Sequence, residues 1–235
     1  MKTSSNIAAF SCVFALGLGA LFSAAQTTAI DPLEQKLGSF SLKAETATDG
    51  IAKLSQVTSI AYSIEFPLGR SISQPAPELK RLNITMGPST VRQVLDSLCS
   101  SDPTFQWRKV GDTVNLFPRS LEHDDGYIMN RRIPELILRN VPDAEKAVFS
   151  TVAQIPGKKE QIALFQSGLS VGFAKPWSVE RRDISVREAM NLIARQLGST
   201  VGWQFGGGDN FRVLTFHLKL SVREKNVESE SQSHE

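Results

Sequence analysis

Covalent catalysis needs a nucleophile with a base beside it, so the first residues to weigh are the histidines, cysteines and serines. The chain has 235 residues, three of them His and two of them Cys. His123 falls in a polar stretch, His217 at the end of the last predicted strand and His234 near the C-terminus. None is spaced with a Ser or Cys that it could activate. Cys12 sits inside an apolar N-terminal run, and Cys99 ends the apolar face of a predicted helix, where a buried, inert thiol is expected. Glu122-His123-Asp124-Asp125-Gly126 places a His beside two Asp, but neighbouring loop residues rarely converge on one ion, so the stretch reads as a solvated linker. Gly206-Gly207-Gly208 would suit a phosphate only between a strand and a helix start, where free amides face the anion. Here the glycines join two predicted strands and read as a hairpin turn. Gly157-Lys158-Lys159-Glu160 lacks the second glycine of a nucleic-acid clamp. The carboxylates form no recurring pair. These patterns predict no catalytic residue, no cofactor-binding residue, no cofactor and no metal site.

Aromatic residues remain as candidates for contact. Trp107 and Trp203 each lie in phase with an apolar neighbour, Phe105 or Phe205, and are predicted to be core. Trp177 has no counterpart elsewhere in the chain. Together with Phe173 it is the candidate exposed contact pair.

The elements that must position these residues occur twice. Thr90-Val91-Arg92-Gln93-Val94-Leu95-Asp96-Ser97-Leu98 and Ser185-Val186-Arg187-Glu188-Ala189-Met190-Asn191-Leu192-Ile193 share one pattern at a spacing of 95 residues. Each opens with a hydroxyl residue followed three positions later by Gln or Glu, the arrangement of a capping box. Each then places apolar residues at helical spacing, Val91, Val94, Leu95 and Leu98 in one, Val186, Ala189, Met190 and Ile193 in the other. Each runs on to a Trp, a Gly/Asp turn and a strand ending in Phe117 or Phe216. The chain therefore reads as an internal duplication.

Residues 1–25 stand apart. Lys2 starts a run, Ile7 to Phe22, that is apolar and uncharged, and Ser23-Ala24-Ala25 follows with small residues. That layout is a secretory signal peptide with cleavage expected after Ala25, the alternative being an uncleaved anchor. Its removal takes one Lys and no acid, lowering the formal net charge from +2 to +1. A nearly neutral balance with interspersed signs argues against nucleic acid as a partner. No later stretch is apolar enough to span a bilayer, so no stable membrane span is expected after cleavage. One remaining cysteine excludes an internal disulfide.

In order, residues 26–39 read as a lead-in. A first module covers 40–118: the strand Phe40–Ala44, a helix capped by Thr48 or Asp49, the strand Tyr62–Phe66, and a Pro-rich loop over 67–81. The strand Leu82–Met86, the helix from Thr90 and a hairpin ending at Phe117 complete it. Residues 119–131 read as an inter-module linker, and 132–219 as a diverged second module. In that second module Leu136-Ile137-Leu138 takes the first-strand place, and Val148, Phe149 and Val152 the first helix. Ala163-Leu164-Phe165 takes the second strand, ahead of an insertion over 166–182. Residues 220–235 are polar and predicted to be disordered.

The first module resembles the STN domain, the short module at the N-termini of secretins and TonB-dependent transducers. The resemblance rests on the alternating first strand, Ile51-x-x-Leu54, Tyr62-Ser63-Ile64-Glu65-Phe66, Leu82-x-Ile84 leading into Thr90-x-x-Gln93-x-Leu95-x-x-Leu98, and the final hairpin. The loop over 67–81 is longer than the family's usual connection. The resemblance implies an α+β fold of two small tandem modules, each of two βαβ-type halves whose small sheets pack on helices. It also implies a periplasmic or outer-membrane-associated, non-enzymatic protein. Its partners would be envelope proteins such as a secretin or a TonB-type component, met through an exposed strand edge. The alternative is an exported small-ligand-binding protein with a site between the modules lined by Trp177 and Phe173.

Overall fold

The structure is a computed structural model that describes residues 31–67, 79–157, 162–166, 172–208 and 211–217. The expected signal peptide over 1–25, most of the loop over 67–81 and the polar tail over 220–235 lie outside the described residues. Among the described residues the fold is mixed α+β, with small sheets packed against four helices. No described helix is long and apolar enough to cross a membrane.

The first repeat begins at a 3-10 turn, Pro32–Glu34, capped by the Asp31 side chain. It continues through β1 (Lys36–Leu37), β2 (Phe40–Glu45), α1 (Ala47–Val57), β3 (Ala61–Glu65), β4 (Leu82–Met86), β5 (Ser89–Thr90) and α2 (Val91–Ser101). The hairpin strands β6 (Phe105–Val110) and β7 (Thr113–Pro118) close it. Gly111 sits in their two-residue turn at a φ of 62°, where an L side chain would be strained. The second repeat opens on another 3-10 turn, Ile128–Asn130, 96 residues after the first. Then come β8 (Arg132–Asp143), α3 (Ala144–Ala153), β9 (Ile162–Gln166), β10 (Gly172–Ser185), α4 (Val186–Leu197), β11 (Gly202–Gly208) and β12 (Phe211–His217).

The repeat is therefore longer than the sequence pattern reveals. The start of α2 is held where the Val91 amide donates to the Gln35 carbonyl (3.1 Å), and that of α4 where Val186 donates to Arg131 (3.0 Å). The lead-in and the end of the predicted linker are thus equivalent parts of the two repeats. Residues 119–131 do not form a solvated linker: Tyr127, Ile128 and Met129 are buried in the second core. Other expectations need correcting too. Thr46 caps α1, with Asp49 completing its capping box three residues on. The first strand of the second repeat spans twelve residues, and the predicted insertion contains most of β10, which pairs with β8 in a long antiparallel ribbon. Gly206, Gly207 and Gly208 lie in β11 itself, where Gly206 packs against Phe66.

The capping boxes of α2 and α4 form as predicted. Thr90 Oγ1 accepts from the Gln93 amide while Gln93 Oε1 accepts from the Thr90 amide at 2.8 Å, and Ser185 and Glu188 repeat the exchange. Their apolar faces are the centres of two cores. Val91, Val94, Leu95 and Leu98 belong to one with Phe105, Leu116, Tyr62 and Ile64. Val186, Ala189, Met190 and Ile193 belong to the other with Trp203, Phe205, Leu214 and Phe216.

A single six-stranded sheet, in the order β6-β7-β3-β11-β12-β9, runs through both repeats. The seam is a parallel pairing of β3 with β11, Gln204 opposite Ile64 and Phe205 opposite Glu65. Residues opposite one another in a ladder point to the same face. Phe205 and Trp203 therefore share a face with Glu65 and Ser63, not with Ile64 and Tyr62. Helices α1 and α2 cover one face of the first half of the sheet, and α3 and α4 cover the opposite face of the second half. The strands of the second half also run opposite to their counterparts. One repeat becomes the other by a half-turn about an axis across the strands plus a translation along it.

Leu95 and Met190 occupy matching positions and both are wholly buried. Leu95→Ala and Met190→Ala should each destabilise the protein by about 2–5 kcal/mol, the range for truncating a core side chain. Denaturant melts of the two variants measure the loss.

Candidate functional site

The seam concentrates the polar groups that the sequence leaves unassigned. Arg187, the second residue of α4, is 9 % exposed and reaches across to Glu65 on β3, which is wholly buried. The pair is bidentate: Arg187 Nε donates to Glu65 Oε1 at 2.5 Å and Nη2 to Oε2 at 2.9 Å. Nη1 donates to Asn130 Oδ1 at 2.9 Å, and the guanidinium lies 4.7 Å from the centre of the Phe117 ring. Asn130 in turn donates to the carbonyls of Leu121, Glu122 and Asp124, which fixes the segment between the repeats. Burial opposes the charge on Arg187, but the hydrogen bond and charge of Glu65 raise its pKa overall. Burial, reinforced by the Glu65 charge, pushes the Tyr127 phenol well above its ordinary value.

The equivalent arginine of the first repeat has different partners. Arg92 Nε donates to Glu34 Oε1 at 2.7 Å and Nη2 to Asp31 Oδ2 at 3.2 Å. Asp31 and Glu34 stand where the second repeat has Tyr127 and Asn130. The first repeat thus supplies its arginine's carboxylates from its own lead-in, and the second takes its carboxylate from the first.

Each Trp binds an Asx residue on its own helix. Trp107 Nε1 donates to Asp96 Oδ1 at 2.9 Å, and Trp203 Nε1 to Asn191 Oδ1 at 2.7 Å. Trp203 is fully buried, as predicted, because the first repeat covers it: its amide donates to Ser63 Oγ, and the Asn191 amide group donates to the Val110 carbonyl. A Cβ at position 202 would fall 1.8 Å from the Tyr62 carbonyl oxygen, so only Gly202 permits this approach. Trp107 has no such cover and stays partly exposed.

A cleft of about 310 Å³ opens beside the seam, lined by Val110, Gly111, Arg181, Ile184, Asn191 and Arg195 among others. Its charged rim is tied down: Arg195 meets Asp112 at 2.7 Å, and Arg132 holds Asp183 and Glu188. Trp177 and Phe173 do not line it. They contact each other edge to face, 5.7 Å between ring centres, on the β10 ribbon at the fringe of the second core, half-buried. The structure does not bring them between the repeats. Sequence reading missed Glu65 and Arg187, although an Arg repeated at the same place in two helices was visible.

Cys99 is buried, and burial pushes its thiol up to about 12, far from a nucleophile's range. His123 is exposed beside Glu122, and among the described residues no three His, Cys, Asp or Glu side chains converge as a metal site would need. Comparison with protein-family models, curated proteins and solved structures finds no match to this chain.

Removing one partner of a buried pair strands the other charge, so Glu65→Leu and Arg187→Met should each cost about 3–5 kcal/mol. The double variant should cost clearly less than the sum, and a double-mutant cycle by denaturant unfolding tests this. His217 supplies a pH test. Burial lowers its imidazole from the ordinary 6.5 to about 4. Between those values the unfolded chain binds more protons than the folded one, so stability is full above pH 6.5 and falls as pH drops towards 4. The unfolding midpoint of His217→Phe should vary less over that window.

Proposed function

We propose that this chain is an exported, non-enzymatic protein whose task is to bind other protein chains of the cell envelope. The STN-like pattern of the first repeat supports a place beside secretins or TonB-type systems. The observation that carries the reading is the seam, where one repeat receives the strand edge and hairpin turn of another through backbone and side-chain bonds. A repeat built to accept one strand edge has the chemistry to accept another.

β6 is the outer strand at one end of the sheet. In a hairpin with a two-residue turn, residues alternate between facing the partner strand and facing outward. The closing pair Val110–Thr113 puts the backbone groups of Trp107 and Lys109 on the outward side. These match Trp203 and Phe205, which face β3 in the seam and, through the Phe205 carbonyl, accept from the Phe66 amide at 2.8 Å.

Mature protein used as bait on an envelope extract should retain a specific partner identifiable by mass spectrometry. Lys109→Pro removes an outward amide without removing a β6–β7 ladder bond, but it also breaks the Lys109–Asp31 ion pair, so it is compared with Lys109→Ala, which breaks that pair alone: the Pro variant should capture less than the Ala variant. Equal capture by the two variants would exclude the β6 edge.

A further inference from the structure

The arginines in the first turns of α2 and α4 sit in matching surroundings of opposite charge. Around Arg187 the matching positions hold Tyr127, Asn130, Asn191 and Phe205, so the arginine is the only charge among them. Around Arg92 they hold Asp31, Glu34, Asp96 and Lys109, which makes two cations against three carboxylates. Three uncharged groups are replaced by acids and one by a base. The same five places therefore carry a net positive charge in the second repeat and a net negative charge in the first. The Glu34 hydrogen bond foremost, with the charges of Glu34, Asp31 and Asp96, raises the Arg92 pKa, so all three acids are its neighbours.

The seam shows what the positive set receives. Strand β3 lies beside β11 with Glu65 opposite Phe205, and its carboxylate engages Nε and Nη2 of Arg187. In the first repeat those two nitrogens of Arg92 are already engaged by Glu34 and Asp31. Asp31 also holds Lys109, which stands in the place of Phe205. These four side chains are 31 to 47 % exposed and Asp96 is exposed as well, so a strand laid on β6 would meet them. Glu34 Oε2 and Asp96 Oδ2 make no hydrogen bond among the described residues, which leaves two acceptors open to a donor.

We propose that the β6 edge selects a partner strand carrying Lys or Arg at the place where β3 carries Glu65. This rests on the reading of β6 as an acceptor edge and adds the chemistry of its partner. A long basic side chain opposite Lys109 would offer protons to the open oxygens of Glu34 and Asp96. It would balance the charge of its site as Glu65 balances that of Arg187. An acid in the same place would be a fourth carboxylate facing two cations that are already paired. The same rule turns away strands of the β3 pattern, and so separates the edge used inside the chain from the edge offered to others.

Phage-displayed random heptapeptides, selected on the immobilised mature protein, test this. Peptides retained by the wild type and by Lys109→Ala but lost on Lys109→Pro are those that use the β6 edge. They should carry Lys or Arg at one fixed position. Changing that residue to Glu should weaken binding about fivefold at low salt, read by fluorescence anisotropy, and the gap should close in about 1 M salt. The triple variant Asp31→Tyr, Glu34→Asn and Asp96→Asn copies the second repeat and should prefer the Glu peptide. Circular dichroism melts establish that it is folded; if it is not, the exposed single change Glu34→Lys should weaken the basic peptide instead. Edge-dependent peptides without a fixed basic residue, or with an acid there, would overturn the proposal and leave the β6 edge standing. Recovery of no edge-dependent peptide would also overturn it, while envelope capture that falls from Lys109→Ala to Lys109→Pro would still uphold the reading beneath it. Basic edge-dependent peptides from a protein that captures no envelope partner would sink only the envelope reading.

Discussion

The buried pairing of Glu65 with Arg187 is the constraint on which the rest of the architecture depends. Two charges out of water are costly unless they are paired with good geometry and their remaining hydrogen-bonding groups are used. Here the geometry is bidentate, the third guanidinium nitrogen is taken by Asn130, and the Phe117 ring lies beneath the cation. Satisfying those demands requires β3 from one repeat, α4 from the other and the intervening segment to be in one place. The pair is a poor source of net stability and a strong source of specificity, because a shifted seam would leave both charges buried alone.

That pairing also explains how two similar repeats come to differ. The first repeat satisfies Arg92 from its own lead-in, at a partly exposed site where Asp31 also binds Lys109. The second replaces both carboxylates with Tyr127 and Asn130 and so depends on a carboxylate from outside itself. Dependence runs one way: the second repeat needs the first, and the first is complete in this respect. Duplication here has produced one sheet with helices on alternate faces, not two independent domains joined by a tether.

The same asymmetry shapes what each surface can do. Around Trp203 the junction is closed by a glycine that lets two backbones meet and by a turn whose Asp finds an Arg. Around Trp107 the equivalent surface is open, with its Trp and Asp bonded to each other and half in solvent. A surface that bound another chain there would carry affinity through backbone groups and a few anchors. That open surface is what supports the proposal that the chain binds other protein chains.

Much of the fold was legible because it follows from local physics. The capping boxes at Thr90 and Ser185, the helical spacing of Leu95 and Met190 and the hairpins after Trp107 and Trp203 are each decided within a few residues of chain. The burial of Cys99 followed from its place on a helix face. The sequence did not reveal that the lead-in and the linker are parts of the repeat, because Pro32–Glu34 and Ile128–Asn130 share a backbone shape and almost no side chains. Nor could it show that Tyr62-Ser63-Ile64-Glu65 is buried on both faces. Alternation of apolar and polar residues predicts one wet face, and only the helices of the other repeat make that face dry. Glu65 and Arg187 stand 122 residues apart, and each alone reads as an ordinary surface charge. Local pattern thus determined which elements form, while the tertiary structure decided which repeat supplies the partner for each buried charge, since that depends on contacts between segments remote in the chain.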